Sequence, residues 1–187
     1  MRNKRIINNR KETVMKLNTE ELGFDPTDIE ELDKIMFKKI ILFLVLNFGA
    51  LAIGSYFTDS GASSDWYQNL NKAPWTPAGW VFGAAWTSIM ICFSIYMAYL
   101  IKINHNTKKI VLLYSIQWIL NVAWNPIFFE LQLIIHGLIE ICLLTTIILY
   151  LFIYFWKDLK TKTLLLFPYL IWLFIASSLN DYIAIYN

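Results

Sequence analysis

The feature that most constrains this chain is an apolar run too long for one helix across a bilayer. Ile110–Trp156 contains 47 residues and only two charges, Glu130 and Glu140. As one straight helix it would be about 70 Å long, more than twice the thickness of the hydrocarbon core. The run must therefore fold back on itself, and Pro126, Glu130 and Gln132 mark the place of the turn.

The other apolar runs have the length of single membrane spans, each near the roughly 20 residues that a spanning helix needs. The predicted spans are Ile40–Phe57, Ala78–Ile101, Ile110–Phe129, Leu133–Trp156 and Thr163–Tyr186. Their apolar residues are continuous rather than alternating, which predicts helices and not a barrel. The predicted fold is an all-α membrane protein, a five-transmembrane-helix bundle over residues 40–187.

The charged residues are concentrated before the first span. Residues 1–39 hold 17 of the 30 charged residues, which leaves 13 charges for the other 148 residues. So few charges cannot cover a soluble surface of that size. We expect residues 1–24 to be disordered. The helix-start residues of Asp25-Pro26-Thr27-Asp28 and an apolar stripe after them favour a short surface helix at 26–36, with a plain solubilising tail as the alternative.

Several classes of function find no support in the composition. No clustered basic face is present, so we expect no nucleic acid partner. Cys92 and Cys142 lie inside apolar runs without CxxC spacing, which gives no metal or redox signal. Because nucleophile–base pairs and nucleotide motifs are also missing, we expect no catalytic residues, no metal site and no cofactor.

Span three carries a stripe of amides on one helical face. Gln117, Asn121 and Asn125 recur at i, i+4 and i+8, with Trp118 and Trp124 alongside. Unpaired in hydrocarbon, each amide would cost several kcal/mol. The amides therefore either form hydrogen bonds with other helices or face a ligand cavity. The spacing supports the two interpretations equally.

Span five carries a similar face. Tyr169, Trp172, Ala176 and Asn180 recur at i, i+3, i+7 and i+11. A small residue between an indole and an amide leaves room for a flat ligand or for a neighbouring helix. The spacing alone favours helix packing.

The tryptophans between spans one and two have two interpretations. Trp66, Trp75 and Trp80 lie near a predicted membrane boundary, where indoles are common interfacial anchors. Trp86 lies about two turns inside span two, and an anchoring role explains it poorly.

Span four contains a titratable pair. His136 and Glu140 are four residues apart. We expect an ion pair that positions the helix, with a proton relay as the alternative.

Together these segments resemble the TspO/translocator family, also called the peripheral benzodiazepine receptor or tryptophan-rich sensory proteins, over roughly residues 40–187. The residues that carry the resemblance are Trp66-Tyr67, Pro74-Trp75-Thr76-Pro77 with Trp86, Asn121-x-x-Trp124-x-Pro126-x-Phe128-Phe129, Glu140, and Pro168-Tyr169-x-x-Trp172 with Leu179-Asn180. The resemblance implies a five-helix bundle, often a homodimer, with a ligand pocket beneath the loop between spans one and two.

The resemblance also implies the ligands and the residues that bind them. Porphyrins, sterols and benzodiazepine-type drugs are the ligand classes of the family. The residues implied to line the pocket are Tyr67, Trp86, Asn121, Trp124, Trp172 and Ala176. The family's Pro-Pro after the loop is Pro77-Ala78 here. Its proposed cholesterol motif needs a basic residue after Tyr182, and residues 183–187 contain none, so sterol binding is not carried over.

These residues and the resemblance lead to three hypotheses for the function. The first is a membrane receptor or scavenger that binds porphyrin-like tetrapyrroles or other flat hydrophobic small molecules, because clustered Trp and Tyr rings stack well on flat faces. The second is a transporter of porphyrins or sterols. The third is a light- or oxygen-dependent porphyrin-degrading enzyme.

The lysines predict the orientation of the chain in its membrane. Nine lysines lie within residues 34–39, directly before span one, or in the loops after spans two and four, whereas Lys72 stands alone on the opposite side. By the positive-inside rule, a bacterial plasma-membrane protein of this kind has its N-terminus inside and its C-terminus outside.

We therefore predict that a topology reporter at residue 105 or 160 reads as cytoplasmic and one at residue 62 or 187 as external. Accessibility of single-cysteine variants to an impermeant thiol reagent measures this. Residues 62 and 105 on the same side would contradict the five-span prediction.

Overall fold

The structure, a computed structural model, describes residues 26–56, 61–103 and 106–187. The predicted disorder of residues 1–24 lies outside these ranges. The chain divides into two units, residues 1–39 and residues 40–187. In the described part of the first unit, Lys34 Nζ lies 2.8 Å from Glu30 Oε1 in an i, i+4 ion pair. The helix expected at 26–36 is present within a longer helix, and its place at a membrane surface stays a prediction.

The described residues are mostly helical and contain no strand. The helices are α1 (Pro26–Tyr56), α2 (Asp65–Asn69), α3 (Gly79–Ile103), α4 (Thr107–Asn125), α5 (Ile134–Tyr154), α6 (Trp156–Leu159) and α7 (Phe167–Tyr186). Turns of 3-10 helix at Gly61–Ser63 and Lys160–Leu166 and a π-helical turn at Pro126–Glu130 join them.

Five segments of the described part of the chain are long and apolar enough to cross a membrane, which confirms the predicted fold class. They are Glu30–Tyr56, Gly79–Ile103, Thr107–Glu130, Ile134–Tyr154 and Trp156–Tyr186, here called spans one to five. Spans two to four begin and end within three residues of their predicted bounds. Span one begins at Glu30 rather than Ile40, because α1 continues through the lysines before it. Span five begins at Trp156 rather than Thr163, because the 3-10 turn leads directly into α7.

The reversal after span three occurs where the sequence predicts it. Helix α4 ends at Asn125, and Pro126, which has no N–H to donate, opens the π-helical turn. Gln132 then adopts a left-handed conformation with φ of 55°. Its backbone turns the chain back, and α5 begins two residues later.

Spans one, two and three are joined by buried side-chain hydrogen bonds. Asn47 Nδ2 donates to Ser94 Oγ at 2.9 Å, and Tyr114 OH donates to Asn47 Oδ1 at 2.8 Å. Asn47 is 2% exposed, so in hydrocarbon its amide depends on these two partners. Near them, Trp118 Nε1 donates to the carbonyl of Leu46 at 3.0 Å.

Spans one and three also approach closely at Gly54. A Cβ placed on Gly54 would lie 2.5 Å from Asn125 Nδ2, whereas a Cβ on Gly49 would meet no atom within 4 Å. Both glycines belong to α1. The packing of α1 therefore requires a residue without a side chain at position 54 but not at position 49.

We predict that Gly54→Ala is less stable than Gly49→Ala by about 1–3 kcal/mol, because its methyl group displaces the amide of Asn125. Gly49→Ala is the matched control and should stabilise the helix by up to about 1 kcal/mol. Thermal unfolding of both variants in detergent measures the difference. Equal stabilisation by the two substitutions would contradict the close approach.

Candidate ligand cavity

A cavity of about 640 Å³ lies in the unit formed by residues 40–187. The loop between spans one and two contributes to its lining, as do all five spans. All six residues predicted to bind ligand line it: Tyr67, Trp86, Asn121, Trp124, Trp172 and Ala176. The structure thus brings the predicted residues together, and their part in ligand binding stays a prediction.

One wall of the cavity is made by aromatic residues of α3 and α7. Phe82 and Trp172 meet edge-to-face, with ring centroids 5.1 Å apart. Trp86 makes a similar contact with Tyr169 at 6.1 Å. Edge-to-face pairs hold rings in fixed orientations, and Trp172 is buried. This wall therefore offers ring surfaces to the cavity in a defined arrangement.

A second aromatic group comes from the end of span three. Trp124 stacks on Phe128 with centroids 5.0 Å apart and planes 11° apart. Phe129 stands edge-on to Trp124 at 5.6 Å. The site prediction omitted both phenylalanines, although they stand next to Pro126 in the family-like stretch. The signal was the spacing of Trp124 and Phe128, four residues apart on one helical face.

The loop between spans one and two is held against the bundle. Ser64 caps α2 by accepting a hydrogen bond from the backbone N–H of Tyr67 at 3.2 Å. The Tyr67 ring lies 5.5 Å from that of Phe129. Burial raises the pKa of the Tyr67 phenol above its ordinary value, so the cavity meets a neutral hydroxyl there.

The end of this loop is tied to the last turns of α7. The backbone N–H of Asn71 donates to Asn187 Oδ1 at 2.9 Å, and Asn71 Nδ2 donates to the carbonyl of Tyr186 at 2.9 Å. Trp75 Nε1 donates to Ser178 Oγ at 3.2 Å. These contacts fix the loop residues that form part of the cavity lining.

The amide stripe of span three meets both another helix and the cavity. Gln117 Nε2 and Asn121 Nδ2 donate to the hydroxyl of Tyr169 at 2.8 and 2.7 Å. These bonds join span three to span five. Asn121 and Asn125 also line the cavity, and Gln117 does not.

The face of span five is divided in the same way. Trp172, Ala176 and Asn180 line the cavity, whereas Tyr169 is outside the lining and packs edge-on to Trp86. Asn180 Nδ2 donates to the carbonyl of Ala176 at 3.0 Å, and its Oδ1 is buried without a partner among the described residues. The packing interpretation holds for Tyr169, and the cavity interpretation for the other three.

The ion pair expected between His136 and Glu140 is wrong. The Glu140 side chain is 5% exposed, and neither of its oxygens has a hydrogen-bond partner in the described chain. His136 is exposed on the outer surface of the same helix. Residues four apart can pair on a helix surface, but α5 packs with Glu140 turned into the bundle and His136 turned out of it, which separates the two side chains.

The tryptophans of the loop region differ in their surroundings. Trp80 is 76% exposed and lies outside the cavity lining, as its interpretation as an interfacial anchor requires. Trp75 is also outside the lining, but it bonds Ser178 and stands edge-on to Tyr182 at 5.5 Å. Trp66 contacts Phe128 with centroids 5.5 Å apart.

Comparison with known proteins agrees with this architecture. The family model described as TspO/MBR family matches residues 40–186. The tryptophan-rich protein TspO of Chlorobaculum tepidum is 36% identical over 149 residues, covering 76% of this chain and 94% of that protein. The human translocator protein is 32% identical over 133 residues, covering 68% of this chain and 78% of that protein.

A third relative, protein CrtK of Rhodobacter capsulatus, is 31% identical over 118 residues and covers 62% of this chain and 74% of that protein. The region matched by the family model contains every residue of the cavity lining and excludes residues 1–39. The chain is a member of the TspO/MBR family.

Proposed function

We propose that this protein is an integral membrane receptor that binds porphyrin-like tetrapyrroles and related flat hydrophobic ligands in the cavity. The observation that carries the proposal is the meeting of two aromatic groups, Phe82–Trp172 and Trp124–Phe128, around one space of about 640 Å³. Cavities of this size hold drug-sized ligands. A macrocycle presents two broad apolar faces, which aromatic walls cover with large buried area.

The names of the relatives fit a receptor or a carrier. A further relative, from Cereibacter sphaeroides, is called a tryptophan-rich sensory protein, and the human relative is called a translocator protein. The three hypotheses differ in the fate of the bound ligand. A receptor retains it, a transporter moves it across the membrane, and a porphyrin-degrading enzyme converts it. For a bacterial protein we also propose a plasma-membrane location with the N-terminus inside, and this orientation rests on the lysine asymmetry of the loops.

We predict that protoporphyrin added in the dark quenches the tryptophan fluorescence of the purified protein in detergent, and that the quenching saturates. Saturation is expected because Trp86, Trp124 and Trp172 share one cavity. Illumination should leave the porphyrin absorbance unchanged. Non-saturable quenching would contradict binding in the cavity. Protein-dependent loss of porphyrin would favour the enzyme, and porphyrin flux into sealed vesicles would favour the transporter.

We predict that Trp86→Phe and Trp172→Phe fold normally, weaken porphyrin binding modestly, and combine non-additively because the two rings share one ligand. Phenylalanine keeps most of the ring area, whereas alanine would remove packing worth about 3–5 kcal/mol and could unfold the bundle. The measurement is the porphyrin Kd of the single and double variants.

Trp75→Phe and Trp80→Phe are the controls, because neither ring lines the cavity. They should change the Kd less. Equal, small and additive effects at all four positions would mean that the indoles are membrane anchors only.

A further inference from the structure

Lys72 is the one charged side chain among the described residues that line the cavity. It lies in the loop before span two, outside the membrane-spanning segments, and is half-buried. The remaining lining is aromatic, aliphatic or neutral polar. A single positive charge therefore stands at the loop end of an otherwise uncharged cavity.

The ammonium group of Lys72 is positioned by neutral partners. Its Nζ lies 3.1 Å from Gln68 Oε1 and 3.5 Å from the Gln68 carbonyl oxygen. It also lies 5.1 Å from the centroid of the Tyr67 ring, within the range of a cation–π contact. Among the described residues Lys34 forms an ion pair with Glu30, and no carboxylate forms one with Lys72.

No described neighbour neutralises the lysine. Because burial raises the pKa of the Tyr67 phenol, that group stays protonated and contributes no negative charge. An ammonium group has three donors, and the two contacts with Gln68 leave it able to donate to an incoming anion.

Deeper in the cavity the unpaired groups are neutral. Trp124 Nε1 and Asn180 Oδ1 are buried and lack partners among the described side chains. They can bond a neutral donor or acceptor of a ligand. A carboxylate placed at that depth would lose its hydration without meeting a charge, which is strongly unfavourable. An anionic group of a bound ligand is therefore restricted to the end where Lys72 lies.

We propose that Lys72 recognises a carboxylate at the edge of the ligand, so that the preferred ligands are flat aromatic molecules bearing an acidic group. This inference rests on the proposed function and specifies its ligand class. The apolar body of the ligand lies between the aromatic walls, and the carboxylate accepts hydrogen bonds from Lys72 Nζ. Neutral molecules of the same shape keep the stacking and lose this charge-assisted contact.

The test compares protoporphyrin, a dicarboxylic acid, with its dimethyl ester, which has the same macrocycle without the charges. Their Kd values are measured by tryptophan quenching in a neutral detergent, in the dark, for the wild type, Lys72→Gln and Lys72→Arg. We expect the wild type to prefer the acid by roughly 3- to 30-fold. Lys72→Gln should bring the ratio of the two Kd values close to one, and Lys72→Arg should retain the preference.

Two controls complete the design. Lys108→Gln changes an exposed lysine that does not line the cavity, and its ratio should equal that of the wild type. Detergent partitioning differs between acid and ester but is the same for every variant, so the comparison of ratios removes it. Raising the ionic strength should reduce the acid preference of the wild type and leave the Lys72→Gln ratio unchanged.

The results separate the two proposals. A ratio that is the same in the wild type and Lys72→Gln, with both porphyrins bound, overturns the role of Lys72 alone. Absence of saturable binding of either porphyrin by the wild type overturns the proposed function and this inference together.

Discussion

The hydroxyl of Tyr169 accepts hydrogen bonds from two amides of span three, at 2.8 Å from Gln117 and 2.7 Å from Asn121. In a bilayer the hydrophobic effect does not draw helices together, and buried polar groups need partners inside the protein. These two bonds therefore set the distance between spans three and five. The pairs of Asn47 with Ser94 and Tyr114 do the same for the first three spans. The cavity lies in the space that these fixed distances leave open.

The same tyrosine links the polar contacts to the aromatic ones. Its ring stands 6.1 Å from Trp86 and 5.5 Å from Phe93, edge-on to both. The hydrogen bonds to its hydroxyl thus hold the ring that supports one cavity wall. The loop, in turn, is tied to α7 through Asn71. Trp86 and the loop are each supported by residues outside the cavity lining, which are Tyr169 and residues 186–187 respectively.

Sequence patterns predicted those parts of the structure that depend on length and polarity. The five spans follow from apolar runs near the thickness of a bilayer, and the turn after span three follows from Pro126. Of the cavity, periodicity predicted which residues share a helical face, and family resemblance selected six of them. Neither the periodicity nor the resemblance predicted how each helix is rotated about its axis. His136 and Glu140 were expected to pair, but His136 is exposed and Glu140 is buried. The rotation of a helix depends on the helices packed against it, and the periodic pattern of one helix carries no information about them.

The loop was the least predictable part for the same reason, since its packing has no period. Lys72 stood out in the sequence only as the exception to the lysine asymmetry, and its position in the cavity lining depends on the fold of residues 61–78. Charges are costly inside a membrane and inexpensive at its edge. A TspO-like cavity can therefore carry neutral aromatic surface in its spans, suited to many flat molecules, and place charge only in the loop. The proposed role of Lys72 therefore predicts that changes in the loop alter which flat ligands are preferred, while changes in the spans alter how tightly any of them is held.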